Sequence, residues 1–311
     1  MPVTARNVKQ GGITPSRISN FFNADPWSRT LFVSSTHLKA SDVGNAGTLY
    51  DRPLKTLKQA LAQSKSGDLI LVGEAHAETV TTADGLNIPS TKTGIKIVGL
   101  GEGQRRPKFT FTTLTTADMM ISGAGAFIDN LWFHCGIDAQ VAMMVVAAAD
   151  CSVQKCLFTQ DATNQALLCI DVQNGAHRLR CVDCEGVQTD VGTVSFMKIG
   201  TPDKVWIENL LAYGDYSTSV IDDTTGVATN LAIVRCFLEN RNAVDLVVGL
   251  NATTTGFMSD CRLKNSGEAT ETASLQTAVT ATTSFWFHEN YHQNTEGTAG
   301  ETGLLLGVPA T

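Results

Sequence analysis

Eight times between residues 95 and 292 the chain repeats one eight-position phrase. In register the copies read "IKIVGLGE", "AFIDNLWF", "CSVQKCLF", "LRCVDCEG", "VWIENLLA", "LAIVRCFL", "GFMSDCRL" and "FWFHENYH". Their sixth residues are Leu100, Leu131, Cys156, Cys184, Leu210, Cys236, Cys261 and Asn290, spaced by 31, 25, 28, 26, 26, 25 and 29 residues. A period of this size marks a stack of like units, each burying its apolar face only against its neighbours.

Positions one, three, six and eight of the phrase are mostly apolar. Inward residues of a strand alternate, so the step of three between positions three and six requires a corner there. Position five holds Gly99, Asn130, Lys155, Asp183, Asn209, Arg235, Asp260 and Glu289. Gly, Asn and Asp tolerate the left-handed backbone of a tight bend, whereas Lys155, Arg235 and Glu289 suit it less. A third apolar stretch lies between copies, as in "ALLCIDV", "TVSFMKI", "TSVI" and "VDLVVGL". Three short strands and one fixed corner per copy predict an all-β fold: a single parallel β-helix of about nine rungs. The pattern does not fix the hand of the coil; the general crossover preference, with the resemblance described below, implies a right-handed one.

The same register explains the thiols. Cys156, Cys184, Cys236 and Cys261 fall in one inward column, where a small apolar side chain fills a narrow corner. A disulfide ladder would need an oxidising compartment, and a metal would need polar co-ligands that the column lacks. Cys181 and Cys184 spell C-x-x-C, but no second pair follows at zinc-ribbon spacing. Packing is the expected role of these thiols, and no metal or cofactor is expected.

Before the repeat lies "GTLYDRPLKTLKQALAQSKSGDLILVGEAHAETV". Leu54, Leu57 and Leu61 share a helical face, Asp51 and Pro53 suit a helix start, and Gly67 suits a stop. A short helix near 53–64 is therefore expected to plug the open end of the solenoid. Glu74, His76 and Glu78 alternate on one strand face, a geometry that would permit an ion or acid/base site. With no dedicated partner residues nearby, the expected reading is a strand surfacing at an outer corner. Pro53, Thr56, Ala60, Leu61, Gly67, Asp68, the run Leu69 to Val72, Gly73, His76 and Glu78 together resemble the opening coil of right-handed parallel β-helix proteins. "GEAHAETV" is similar to the "GHAET" stretch of phage-encoded β-helix structural proteins. That resemblance covers residues 47–80. It implies a bacteriophage virion component, a capsid decoration or spike protein made in the host cytoplasm.

Outward positions, which face water on a solvated solenoid, are here often apolar. Position two gives Phe127, Trp206, Phe257 and Trp286; position seven gives Trp132, Leu157, Leu211, Phe237 and Tyr291. Such a face is usually covered. The favoured explanation is a seam between three copies of the chain, a homotrimer; the alternative is a set of stacking platforms for a host glycan. Residues 1–30 stand outside the repeat as an arm with Phe21, Phe22 and Trp27 as anchors, ahead of a β-helix over 31–311. The arm is expected to dock on a capsid or tail protein.

Thirty acidic against 23 basic residues, without a long basic cluster, argue against a nucleic-acid partner. No apolar run is long enough to span a membrane. An enzyme is the less favoured class. "VWIENLLAYGD" resembles the "VWIDH" stretch of pectate lyases, but Asn209 replaces the His and the string is an ordinary repeat copy. Asp150, Asp171, Asp203 and Asp222 lie along the third side with registers that do not match, so no carboxylate pair of the kind a glycoside hydrolase needs is expected. No nucleophile elbow, phosphate loop or Ser/His/Asp set stands out. The rival function is a tailspike-type depolymerase or glycan-binding adhesin.

Overall fold

Most of the apolar runs marked by the repeat are strands in the computed structural model, which describes residues 29–242, 246–266, 284–294 and 303–305. Numbered along the chain, the first sheet holds β1 (Thr30–Val33), β2 (Leu69–Val72), β5 (Lys96–Gly99), β8 (Phe127–Asp129), β11 (Ser152–Gln154), β14 (Arg180–Val182), β17 (Trp206–Glu208), β20 (Leu231–Val234), β23 (Thr255–Ser259) and β25 (Ser284–His288). The second holds β3 (Ala77–Val80), β6 (Lys108–Phe111), β9 (Trp132–Cys135), β12 (Leu157–Gln160), β15 (Glu185–Thr193), β18 (Leu211–Tyr216), β21 (Phe237–Asn240), β24 (Arg262–Asn265), β26 (Asn290–Asn294) and β27 (Gly303–Leu305). The third holds β4 (Leu86–Ile88), β7 (Met119–Ile121), β10 (Gln140–Val146), β13 (Ala166–Val172), β16 (Ser195–Ile199), β19 (Ile221–Asp223) and β22 (Val248–Leu250). Strands pair parallel with the rungs on either side; the antiparallel β26 to β27 pair is the exception. The result is a right-handed parallel β-helix of about eight turns.

The corner between the first two sheets is where the repeat is strictest. Asn130, Lys155, Asp183, Asn209, Arg235, Asp260 and Glu289 all have φ between 50° and 58°. Lys155, Arg235 and Glu289 thus adopt the same left-handed turn as the Asn and Asp residues. For Lys155 and Arg235 hydrogen bonding explains why: from Asn130 to Asp260 each of these position-five amides donates to the position-four carbonyl one rung on, as in Lys155 N to Val182 O and Asn209 N to Val234 O, both 3.0 Å. One bond per rung, repeated along the stack, holds residues of poor intrinsic preference in the bend. Gly99 departs from the series. From β5 the chain leaves on an excursion over residues 100–107 before β6, so Gly99 makes no two-residue corner. A side chain at 99 would instead meet the Asn130 carbonyl at 2.1 Å, so glycine serves there for close approach.

Inside, columns of like residues run along the axis. Phe109, Phe133 and Phe158 stack at 6.0 and 5.3 Å between ring centroids. The next place in that column is Gly186, where Phe196 from the third sheet enters instead; a Cβ at 186 would meet its ring at 2.3 Å. Cys156, Cys184, Cys236 and Cys261 are buried and line up at the corner, with Leu210 between the pairs. Neighbours touch, since Cys236 N donates to Cys261 Sγ at 3.4 Å. Asn290 ends the column: its Oδ1 accepts from Cys261 N at 3.0 Å and its Nδ2 donates to Met258 O at 2.9 Å. All eight cysteines are free and buried. Burial pushes the Cys135 thiol up to about 11 and raises those of Cys156 and Cys169 well above the usual thiol value.

The helix α1 (Leu57–Gln63) buries Leu57, Ala60 and Leu61 against β1 and β4 at the open end of the solenoid. Its cap is Thr56, not Asp51 or Pro53: the Thr56 hydroxyl accepts from Gln59 N at 3.2 Å. It stops at Ser64, and Gly67, with φ +80°, makes the turn into β2. β1, which the sequence pattern does not reveal, adds a further strand beyond β2.

Candidate functional site

Two outward columns carry the candidate surface. On the first sheet, Phe127, Ser152, Arg180, Trp206, Ala232, Phe257 and Trp286 are successive register partners. On the second, Lys108, Trp132, Leu157, Glu185, Leu211, Phe237, Arg262 and Tyr291 follow one another in the same way. The rings therefore do not form one unbroken stripe. Trp206 and Phe257 meet edge to face, centroids 6.0 Å apart, across the small Ala232 beneath them. Trp206 Nε1 donates to Glu208 Oε2 at 2.8 Å, and Glu208 pairs with Arg235.

Exposure grows toward the C-terminal rungs. Phe257 and Leu211 are 38% exposed, Tyr291 55% and Trp286 77%. Beside Trp286 and Tyr291 stand His288 and Glu289, whose side chains are also mostly in solvent. Trp132, Trp206 and Phe237 are half-buried, and Lys108 Nζ lies 4.3 Å from the Trp132 ring centre. Phe127 belongs to a separate apolar cluster at the N-terminal end of the first sheet. Phe21, Phe22 and Trp27 lie outside the described residues.

The Glu74, His76, Glu78 set does not open to solvent as expected. His76 is buried, and its Nδ1 accepts the Ser35 main-chain N–H at 2.9 Å, which places its proton on Nε2, 3.1 Å from Glu78 Oε2. Glu78 in turn accepts Leu57 N at 2.6 Å and Lys58 N at 3.3 Å, the orphan donors at the start of α1. His76 and Glu78 are therefore a buried strut between the first coil and its helix. Glu74 is separate and pairs with Arg105. A cleft of about 260 Å³ lies beside the strut, lined by Ser35, Lys58, Glu78 and Thr82 among others.

The third-sheet carboxylates also need correction. Asp171 pairs in register with Lys198, and Lys198 with Asp222, so two of the four do share a column, one lysine apart. Two rung spacings separate them, roughly 9–10 Å. Asp222 is nonetheless committed to its own turn, accepting from Thr224 N and Oγ1 at 3.0 and 2.6 Å. Asp150 is held below the usual carboxylate range by the two-pronged Arg178 guanidinium at 2.6 and 2.7 Å, and Asp203 by the Asn230 amide.

One constellation escaped the sequence reading. On the outer face of the second sheet, Thr159 Oγ1 lies 2.8 Å from His134 Nδ1, and His134 Nε2 lies 3.2 Å from Asp161 Oδ1. Trp132 Nε1 donates to the same Thr159 oxygen at 2.6 Å. The three residues are 25 and 27 positions apart, so only the rung register, which sets His134 beside Thr159, reveals them. Burial, with Lys108 adding to it, lowers the His134 pKa. Among the described residues no group of three or more His, Cys, Asp or Glu converges as a metal would require, and no helix is long and apolar enough to cross a membrane.

No protein-family model matches the chain, and no curated protein does. Among solved structures it is similar to a rhamnogalacturonan lyase, with a TM-score of 0.60 at 12% identity over 85% of this chain and 74% of that one. It also matches pectate lyase Pel9A, at a TM-score of 0.47, 12% identity, and 88% and 80% coverage. The Geobacillus virus E2 protein ORF18 matches at a TM-score of 0.33, 12% identity, and 92% and 64% coverage. The first likeness establishes the fold, and a fold of this kind hosts many unrelated functions.

Proposed function

We propose that this chain is a bacteriophage structural protein, a trimeric capsid decoration or spike. Its shafts pack through the ring-bearing outer faces of the first two sheets, and its first 30 residues attach it to a capsid or tail protein. The observation that carries this reading is the exposed apolar side chains on the outer faces of two sheets: Phe257 and Trp286 on adjacent rungs of the first, Leu211 and Tyr291 on the second. A rigid sheet face that offers rings to solvent over several rungs suits a flat, symmetric contact between copies, where each ring meets an equivalent surface. The viral assignment rests on the likeness of "GEAHAETV" to phage β-helix proteins.

Sedimentation velocity tests the seam. The unaltered chain is expected to sediment as a trimer, and Trp286→Glu combined with Phe257→Glu as a monomer with unchanged far-UV circular dichroism. A monomeric unaltered chain removes the seam. The exposed His288 and Glu289 beside Trp286 and Tyr291 favour a second reading, a sugar contact in which rings stack and polar neighbours bond hydroxyls. A monomer whose tryptophan fluorescence shifts on adding host surface oligosaccharide supports that reading.

A further inference from the structure

The Thr159, His134 and Asp161 set on the second sheet has a directed hydrogen-bond order. A carboxylate only accepts, so the His134 proton sits on Nε2, facing Asp161 Oδ1 at 3.2 Å. Nδ1 is then an acceptor, and the Thr159 hydroxyl, 2.8 Å away, donates to it. Trp132 Nε1 donates to the same oxygen at 2.6 Å and leaves its other lone pair free. The burial and the Lys108 charge that lower the His134 pKa keep the ring neutral, the form that can take a proton. A hydroxyl bonded to a neutral imidazole, whose far nitrogen is held by a carboxylate, is the arrangement that turns an alcohol into a nucleophile.

The rungs hold each part in place and leave one side to solvent. His134 and Thr159 are register partners on β9 and β12, and Trp132 and Leu157 are the partners two residues before them on the same face. Asp161 begins the turn after β12, closed by its bridge to Asn164. The His134 side chain is 12% exposed and that of Asp161 53%, so the ring is fixed while the carboxylate meets water. Thr159 is half-buried, and the half-buried Leu157 and Val187 beside it form an apolar ledge that suits a short acyl group. Lys108, the register partner of Trp132, brings a cation to the same face for a developing oxyanion.

We propose that Thr159 and His134 form an acyl-transfer site for short-chain carboxylic esters, with Asp161 positioning the ring. Thr159 Oγ1 bonds to the acyl carbon while its proton passes to His134 Nδ1. The acyl C–O bond then breaks, and the alcohol departs with that proton. Water next gives a proton to the same nitrogen and bonds to the acyl carbon of the threonyl ester. The acid is released, and the proton returns to Thr159 Oγ1.

Hydrolysis of p-nitrophenyl acetate by the full chain tests it. The rate is expected to rise with pH through the ionisation of His134 and then level, and acid quenching during turnover should leave an acetyl group on the peptide carrying Thr159. Thr159→Val and His134→Gln are expected to lose on the order of a hundredfold in kcat with unchanged circular dichroism, while Thr159→Ser keeps turnover. Asp161→Asn should lower kcat and move the midpoint of the pH profile down, since the carboxylate favours the charged ring. No release above the reagent's own hydrolysis, release by Thr159→Val equal to the parent's, or acetyl on lysines alone overturns the inference. β9 and β12 lie on earlier rungs than Phe257, Trp286 and Tyr291. A trimer without ester turnover therefore loses this inference alone, and a monomer that turns the ester over loses the seam alone.

Discussion

At position five of the repeat, one backbone conformation is imposed on residues of very different preference. Lys155 occupies it at φ 50° with no side-chain reason to do so, whereas Asn130 at φ 58° bonds Gly99 O and Gly101 O through its amide, both at 2.8 Å. A non-glycine residue in this region costs about 1–2 kcal/mol, less for Asn. Lys155→Asn is therefore expected to stabilise the fold by about 0.5–1 kcal/mol, read from urea unfolding midpoints. Asp118 shows the opposite economy. Its carboxyl is buried, its Oδ1 has no hydrogen-bond partner among the described residues, and burial, helped by Asp84, pushes its pKa up to about 7. A carboxyl raised in the folded state favours folding most when protonated, so its contribution is complete below about pH 4 and is lost as pH rises to about 7. Asp118→Asn is expected to be more stable than the parent at pH 8, by on the order of a few kcal/mol, with little difference at pH 4. Thermal melts across that range check the sign. Neither property is legible in the string: the left-handed turn was readable at Asn and Asp, but at Lys155 it is set by an amide bond to the next rung.

At the scale of elements, the aromatic column and the helix strut hold the shaft together. Phe158 lies between Phe133 and Phe196, fully buried, and Phe158→Ala is expected to cost about 3–5 kcal/mol because its rigid neighbours cannot collapse into the space. Glu78 joins β3, His76 and the first amides of α1. Glu78→Ala would remove the acceptor of the partly buried Leu57 N–H and His76 Nε2–H and of the exposed Lys58 N–H, a loss of about 2–3 kcal/mol; Glu78→Gln keeps one oxygen and should lose less. Calorimetric melting of the pair checks the order. The alternation of Glu74, His76 and Glu78 was visible as a shared face, yet its use was not, because the helix amides arrive from 20 residues upstream. The Thr159, His134 and Asp161 set was hidden for the same reason.

Across the whole molecule, the contacts are between neighbouring rungs, as in other stacked-repeat folds. The eight buried thiols report on this arrangement without any substitution. The native chain is expected to leave all eight unreactive toward a disulfide reagent. They should become reactive over a range of urea concentrations if the rungs open in groups, or in one step if the shaft unfolds as a unit; reaction in the absence of urea would contradict their burial. Period, corner, strand faces, inward thiols and outward rings were determined by the sequence alone, because each recurs at fixed places in every copy and a parallel stack turns equal spacing into equal position. The tertiary structure decided which outward rings stay in water, that Asp171 and Asp222 share a column, and that His76 is a strut. These depend on which distant residues the rung register brings side by side, and on what lies above a sheet face, neither of which a linear spacing encodes.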